Sequence, residues 1–94
     1  MLKNHLQLYQ DFEKKLSRTE INLKRLQRTI RPLFTSRILG NQIFITSKLT
    51  KKSLKITFDN ILSYAYVTAN GYHYSLYSPD TKTLFNRLIK HNLL

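Results

Sequence analysis

The spacing of hydrophobic and polar positions changes twice along the chain, which divides it into three segments. Through residues 2–31 the apolar residues follow a three-four spacing with no Gly or Pro, a pattern typical of one long amphipathic helix. This helix should end near Ile30 or Arg31, because the residue before Pro32 avoids the α region. We define its apolar seam as Leu2, Tyr9, Phe12, Leu16, Leu23, Leu26, Ile30 and Leu33, with His5 and Thr19 in the remaining positions of the register.

The middle segment, residues 37–77, alternates as β-strands do. Apolar residues alternate with polar ones around Ile43 and Ile45 and again from Leu54 to Phe58, which indicates strands with one buried face. Farther along, Asn70-Gly71 separates two strand-like runs. This dipeptide predicts a β-hairpin, because a type I′ turn needs positive φ at both central residues.

A two-residue turn also sets the register of this hairpin. One face should be the core face, with the cross-strand pairs Ala69/Tyr72, Val67/Tyr74 and Ala65/Leu76. The other face should carry the more polar pairs Tyr64/Tyr77, Tyr66/Ser75 and Thr68/His73.

The last segment, residues 79–93, begins with Ser78-Pro79-Asp80. A serine N-cap, a proline in the first helical position and an early acid are all typical of a helix start. Its apolar face should cover the sheet with Leu84, Phe85, Leu88, Ile89 and Leu93. The sequence therefore predicts a single α+β domain over residues 1–94, with a long N-terminal helix, an antiparallel sheet of about four strands and a C-terminal helix packed on the sheet.

The length of the first helix predicts association. A helix over residues 2–31 would extend about 40 Å, which is longer than a small sheet covers. We therefore expect a homo-oligomer, or docking on a larger protein complex, through the N-terminal helix.

Charge narrows the classes of partner. The chain has 16 Lys and Arg against 5 Asp and Glu, a formal net charge of +11, which attracts nucleic acid, anionic lipid or acidic protein. An AT-rich coding bias is the alternative explanation of the lysines, although it would not by itself supply the arginines. No run approaches the roughly 18 apolar residues of a membrane span, and the N-terminus lacks signal-peptide features. We expect a protein of the cytoplasm or an organelle matrix that is not secreted.

The basic residues of the first helix form a row opposite the apolar seam. Such a row matches the phosphates of a nucleic-acid backbone, although a solvated helix face is the simpler alternative. The candidate phosphate-binding residues are Lys14, Arg18, Lys24, Arg25, Arg28 and Arg31 on the helix, extended by Lys48, Lys51, Lys52 and Lys55.

The polar face of the hairpin is a second candidate site. It would display Tyr64, Tyr66, His73 and Tyr77, and aromatic rings on an open sheet beside basic residues stack on unpaired bases. The alternative is that these tyrosines pack under the first helix or against a partner subunit, which their ordinary preference for strands favours.

Residues for catalysis are scarce. The chain has no cysteine, and its three histidines, His5, His73 and His91, lack metal-ligand spacing. The five acids are scattered, two glycines cannot form a phosphate-binding loop, and no serine has a nucleophile-elbow context. We expect a protein that is not an enzyme and that has no cofactor, no metal and no small-molecule substrate.

Residues 42–90 resemble a bacterial pleckstrin-homology-like domain in the strand ITSKL, the run KITFDNILSY, the hairpin and the closing segment SPDTKTLFNRLIK. The chain is too short for the seven strands of that family. The order helix–strands–helix is also similar to double-stranded-RNA-binding domains, but their basic signature is missing from the start of the second helix at Asp80-Thr81-Lys82-Thr83. We assign the chain to neither family.

Two functions remain open from the sequence. The first is a DNA- or RNA-binding protein or ribonucleoprotein component that contacts phosphates through the basic helix. The second is a protein-interaction module, similar in part to pleckstrin-homology-like domains, that docks on or inhibits a larger complex. An interface of that kind would depend on aromatic anchors, here Tyr64, Tyr66, Tyr77 and an exposed Phe12.

Overall fold

The computed structural model describes residues 4–94 and has the expected α+β architecture, with five antiparallel strands rather than four. Its elements are α1 (His5–Lys14), α2 (Leu23–Ile30), β1 (Phe34–Leu39), β2 (Gln42–Ser47), β3 (Ser53–Asp59), β4 (Tyr64–Ala69), β5 (Tyr72–Tyr77) and α3 (Thr81–Lys90).

The N-terminal segment is two short helices, so the prediction of one long helix over residues 2–31 is wrong. Residues 2 and 3 of that prediction lie outside the described residues. Between the helices, the hydroxyls of Ser17 and Thr19 hydrogen-bond to each other, and such local bonds compete with helical ones. Asn22 then starts α2 as its N-cap, because its side chain accepts the N–H of Arg25 at 3.0 Å. The expected end at Ile30, before Pro32, is confirmed.

The break lets both helices lie on the same face of the sheet. Tyr9 of α1 and Leu26 and Ile30 of α2 are buried in the core of the chain, and Phe12 is partly buried with its ring centroid 5.2 Å from that of Phe85. The apolar seam is thus largely covered within the chain. The prediction that the apolar seam is too long to be covered by one small sheet is therefore wrong. The prediction that Phe12 is an exposed anchor is also wrong, because its side chain is partly buried.

The sheet is a meander in the order β1-β2-β3-β4-β5, so β1 and β5 are its edges. The first strand begins at Phe34, three residues before the predicted strand region, and pairs with β2 through a tight turn with positive φ at Gly40. The pairing of β4 with β5 confirms the hairpin register at every predicted position, including Val67 with Tyr74. Asn70 and Gly71 have φ of 53° and 79°, as a type I′ turn requires.

The C-terminal helix packs on the core face of the sheet as expected, with Leu84, Phe85 and Leu88 buried. Its predicted start is wrong, because Asp80, not Ser78, is the N-cap, accepting the N–H of Thr83 at 2.7 Å. The core faces of the strands meet all three helices in one cluster. The opposite face, which we call the open face, carries no helix of the described part of the chain.

Candidate nucleic-acid interface

A basic groove runs between α2 and the edge strand β1. The helix turns Leu26 and Ile30 into the core, so its periodicity places Lys24 and Arg28 beside the exposed edge of β1. The amide of Gln27 ties the two walls together, since its Nε2 donates to the carbonyl of Ser36 at 3.2 Å. The groove has a volume of about 740 Å³ and is lined by Lys24, Gln27, Arg28, Ser36, Arg37 and Ile38.

The groove continues toward the C-terminal end of α2. A second concavity of about 360 Å³ is lined by Gln27, Arg31, Phe34, Thr35, Ser36 and Lys48. The Nζ of Lys48 donates to the carbonyl of Arg31 at 2.8 Å, and a cation there is favoured by the helix dipole. We call the two concavities together the α2–β1 groove.

The charge of this groove is uncompensated. Its lining contains five cationic side chains and no carboxylate. Within residues 4–94 the ion pairs lie elsewhere: Arg18 with Asp80 at 3.7 Å and Lys82 with Glu13 at 3.6 Å. Exposed cations close together on one wall repel each other, and this repulsion is relieved when an anion binds.

The other predicted basic residues do not join this groove. The predicted row is interrupted where α1 ends, which leaves Lys14 on α1 and Arg18 in the link to α2, where Arg18 also donates to the hydroxyl of Thr83 at 3.3 Å. Arg25 lies outside the lining of the groove. Three lysines lie beyond it, two in the β2–β3 connection and one on the open face: Lys51, Lys52 and Lys55.

The open face carries the predicted tyrosines. Tyr64, Tyr66 and Tyr77 are 36%, 41% and 49% exposed, so the alternative that they pack under the first helix is wrong. Their rings form a cluster, with Tyr64 stacked on Tyr66 at 6.3 Å between centroids and edge-on to Tyr77 at 5.8 Å. His73 is exposed on the same face, where its Nδ1 and the hydroxyl of Thr68 are hydrogen-bonded at 3.1 Å.

Sequence reasoning missed two residues of this region, Arg37 and Phe44. They face each other across β1 and β2 on the open face, and the Arg37 guanidinium carbon lies 5.3 Å from the centroid of the Phe44 ring, a cation–π contact. The signal for Phe44 was present, because it alternates with the buried Ile43 and Ile45. Arg37 was missed because β1 was not recognised as a strand that starts at Phe34.

The described part of the chain has no cluster of three or more His, Cys, Asp or Glu that could hold a metal ion. Within residues 4–94, no helix is both long enough and apolar enough to cross a bilayer. The five strands of the structure form an open sheet with two edges. This architecture differs from the seven-strand pattern of pleckstrin-homology-like domains.

Comparison of the chain with protein-family models, with curated protein sequences and with solved structures gives no match.

Proposed function

We propose that the chain is a non-enzymatic nucleic-acid-associated protein that binds backbone phosphates in the α2–β1 groove. The observation that carries this proposal is a groove lined by five cations and no carboxylate. Three of the five are arginines, Arg28, Arg31 and Arg37, whose planar guanidinium groups bind phosphate oxygens through two hydrogen bonds. A component of a ribonucleoprotein belongs to the same proposal.

The distribution of charge supports a polyanion rather than a small anion. The lining of the groove includes residues 34–38 of β1, which is nearly the whole strand, so its cations lie along the edge of the sheet. A single phosphate would be satisfied by two or three of them. A backbone with regularly spaced charges engages the whole row and releases its condensed counterions.

The test is the affinity of the purified full chain for labelled DNA and RNA oligonucleotides, measured by fluorescence anisotropy over a range of salt. We expect the logarithm of the affinity to fall linearly with the logarithm of salt concentration. The variant Arg28→Glu should weaken binding to every sequence and reduce the magnitude of this slope by about one or more.

Lys90→Glu is the matched control. It changes the net charge by the same amount on an exposed residue at the end of α3, outside the groove lining, and should change the affinity much less. If neither DNA nor RNA binds at low salt, the proposal fails. If both variants weaken binding equally, net charge acts without the groove, and the proposed site is wrong.

A protein-interaction module is the second candidate, and one feature favours it. Ile61 and Leu62 in the β3–β4 turn are 94% and 60% exposed, and neighbouring exposed apolar residues mark docking sites. Its test is a pull-down from nuclease-treated lysate with the wild-type chain and with the double variant Ile61→Ser and Leu62→Ser. Docking is supported if the wild-type chain captures one protein in stoichiometric amount and the double variant does not. Docking is contradicted if nuclease treatment removes every partner of the wild-type chain.

One further expectation belongs to the proposal. Action inside the cell or an organelle fits a nucleic-acid partner. Self-association through the N-terminal helix is not included, because Leu26 and Ile30 of the apolar seam are buried within the chain.

A further inference from the structure

We infer that the open face of the sheet is a stacking platform for unpaired bases, so that the ligand is a single-stranded nucleic acid whose phosphates lie in the α2–β1 groove. This inference rests on the proposed function and specifies its ligand. It begins from the tyrosine cluster of Tyr64, Tyr66 and Tyr77, whose rings contact each other and remain between one third and one half exposed.

The second observation is a row of side chains that crosses the open face at right angles to the strands. The strand registers place five residues side by side, one from each strand: Arg37, Phe44, Lys55, Thr68 and His73. With neighbouring strands about 4.8 Å apart, the row spans about 19 Å. It holds two cations, Arg37 and Lys55, and two rings, Phe44 and His73, with Thr68 between Lys55 and His73. Groups that bind phosphate and rings that stack on bases therefore lie side by side on this face.

The third observation is the charge of this face. The open-face residues of the five strands include one acid, Asp59. Its carboxylate accepts the N–H groups of Ile61 and Leu62 at 3.0 and 3.1 Å. That carboxylate is held in the β3–β4 turn. Asp59 lies opposite Tyr64 in the register and keeps its charge, but the two cations of this face, Arg37 and Lys55, outnumber it. The face therefore has a net positive charge, which complements a polyanion.

Arg37 joins the two surfaces. It lines the α2–β1 groove, and its guanidinium also lies over the ring of Phe44 on the open face. A single strand whose phosphates occupy the groove could place successive bases over the edge of β1 and onto the sheet. In a duplex the bases are paired and stacked inside the helix, so none is available to stack on the tyrosines. A duplex would therefore bind through its phosphates in the groove alone.

The experiment measures the affinity of the full chain for single-stranded RNA, single-stranded DNA and a duplex of equal length, by anisotropy at one salt concentration. Tighter binding of either single strand than of the duplex is expected. The variant Tyr66→Ala should weaken single-strand binding by about tenfold, leave duplex binding unchanged and leave the salt slope unchanged. Tyr66→Phe, which keeps the ring, should retain the affinity.

Tyr72→Ala is the matched control. Tyr72 is a more exposed tyrosine, at 67%, but it lies opposite Ala69 on the other face of the sheet, so its loss should leave all affinities unchanged. Circular dichroism and thermal unfolding establish that the variants fold. Tyr77→Ala removes a second ring of the tyrosine cluster and should weaken single-strand binding as Tyr66→Ala does.

The failures can be told apart. If Arg28→Glu weakens binding while Tyr66→Ala and Tyr77→Ala do not, the stacking platform is overturned and the electrostatic proposal survives. If Tyr66→Ala instead weakens duplex and single-strand binding equally, the ring does not stack on unpaired bases, and the inference is wrong. If no oligonucleotide binds, the proposed function itself fails. Retention of oligonucleotide affinity by Tyr66→Ala, with loss of a stoichiometric protein partner, would make the open face a protein interface and overturn the inference.

Discussion

The hydroxyls of Tyr9 and Ser47 share a hydrogen bond in the core, which joins α1 to the last residue of β2. The Ser47 Oγ also accepts the N–H groups of Leu49 and Thr50, each at 3.1 Å. One small side chain thus holds a helix and a turn together.

We expect Ser47→Ala to lower the free energy of unfolding by about 1–3 kcal/mol, since it leaves the Tyr9 hydroxyl and two backbone donors without their partner. Urea unfolding followed by circular dichroism measures this change. Ser75→Ala, at an exposed serine of the open face, should stay within about 0.5 kcal/mol of wild type. Equal stability of the two variants would contradict the role of Ser47.

The Asn70-Gly71 turn gives a second stability prediction. A Cβ at Gly71 would meet no atom within 4 Å, so the cost of a substitution there comes only from its φ of 79°. Gly71→Ala should destabilise the chain by about 1 kcal/mol, and Gly71→Asn by less, because asparagine tolerates this conformation. Thermal unfolding of both variants tests the order, and a more stable alanine variant would rule out the turn type.

The parts of the fold that the sequence predicted are those governed by local rules. The hairpin register follows from one dipeptide and a period of two, and it is confirmed from Ala65/Leu76 to Ala69/Tyr72. The apolar face of α3 follows from its spacing, and Leu84, Phe85 and Leu88 are buried as expected. Pro32 correctly marked the end of the helical segment.

The long helix could not be corrected from the pattern alone. A three-four spacing fits one helix of 30 residues and two helices in phase equally well, and what separates them is tertiary. The link between α1 and α2 is held by α3, where the N–H of Thr81 donates to the carbonyl of Thr19 at 3.0 Å. The basic groove was therefore only partly predictable. Four of its cations were identified from the sequence, but Arg37 joins them only because α2 folds back beside β1, and the lining cations are Lys24, Arg28, Arg31, Arg37 and Lys48.

Asp80 combines two roles that substitutions can separate. It caps α3 and also pairs with Arg18, whose side chain is 69% exposed. We expect Asp80→Ala to cost about 1 kcal/mol through the lost cap, while Arg18→Ala should cost less than about 1 kcal/mol and depend on salt. Asp80→Asn keeps a capping oxygen and should resemble Arg18→Ala in chemical denaturation. An asparagine variant as unstable as the alanine variant would show that the ion pair dominates.

The division of the predicted basic row gives the last prediction. Lys14 and Arg28 would lie in the same row on a continuous helix, at positions i and i+14, but Lys14 ends α1 whereas Arg28 faces β1. Each is exposed, and each reversal to glutamate changes the net charge equally.

If a continuous helix bound phosphates, Lys14→Glu and Arg28→Glu would weaken nucleic-acid binding alike. Because the helix is broken, we expect Arg28→Glu to lower the affinity by about tenfold or more and Lys14→Glu to have a much smaller effect that vanishes at moderate salt. Anisotropy titrations of both variants at two salt concentrations separate these outcomes, and equal losses at both concentrations would favour the continuous row over the α2–β1 groove.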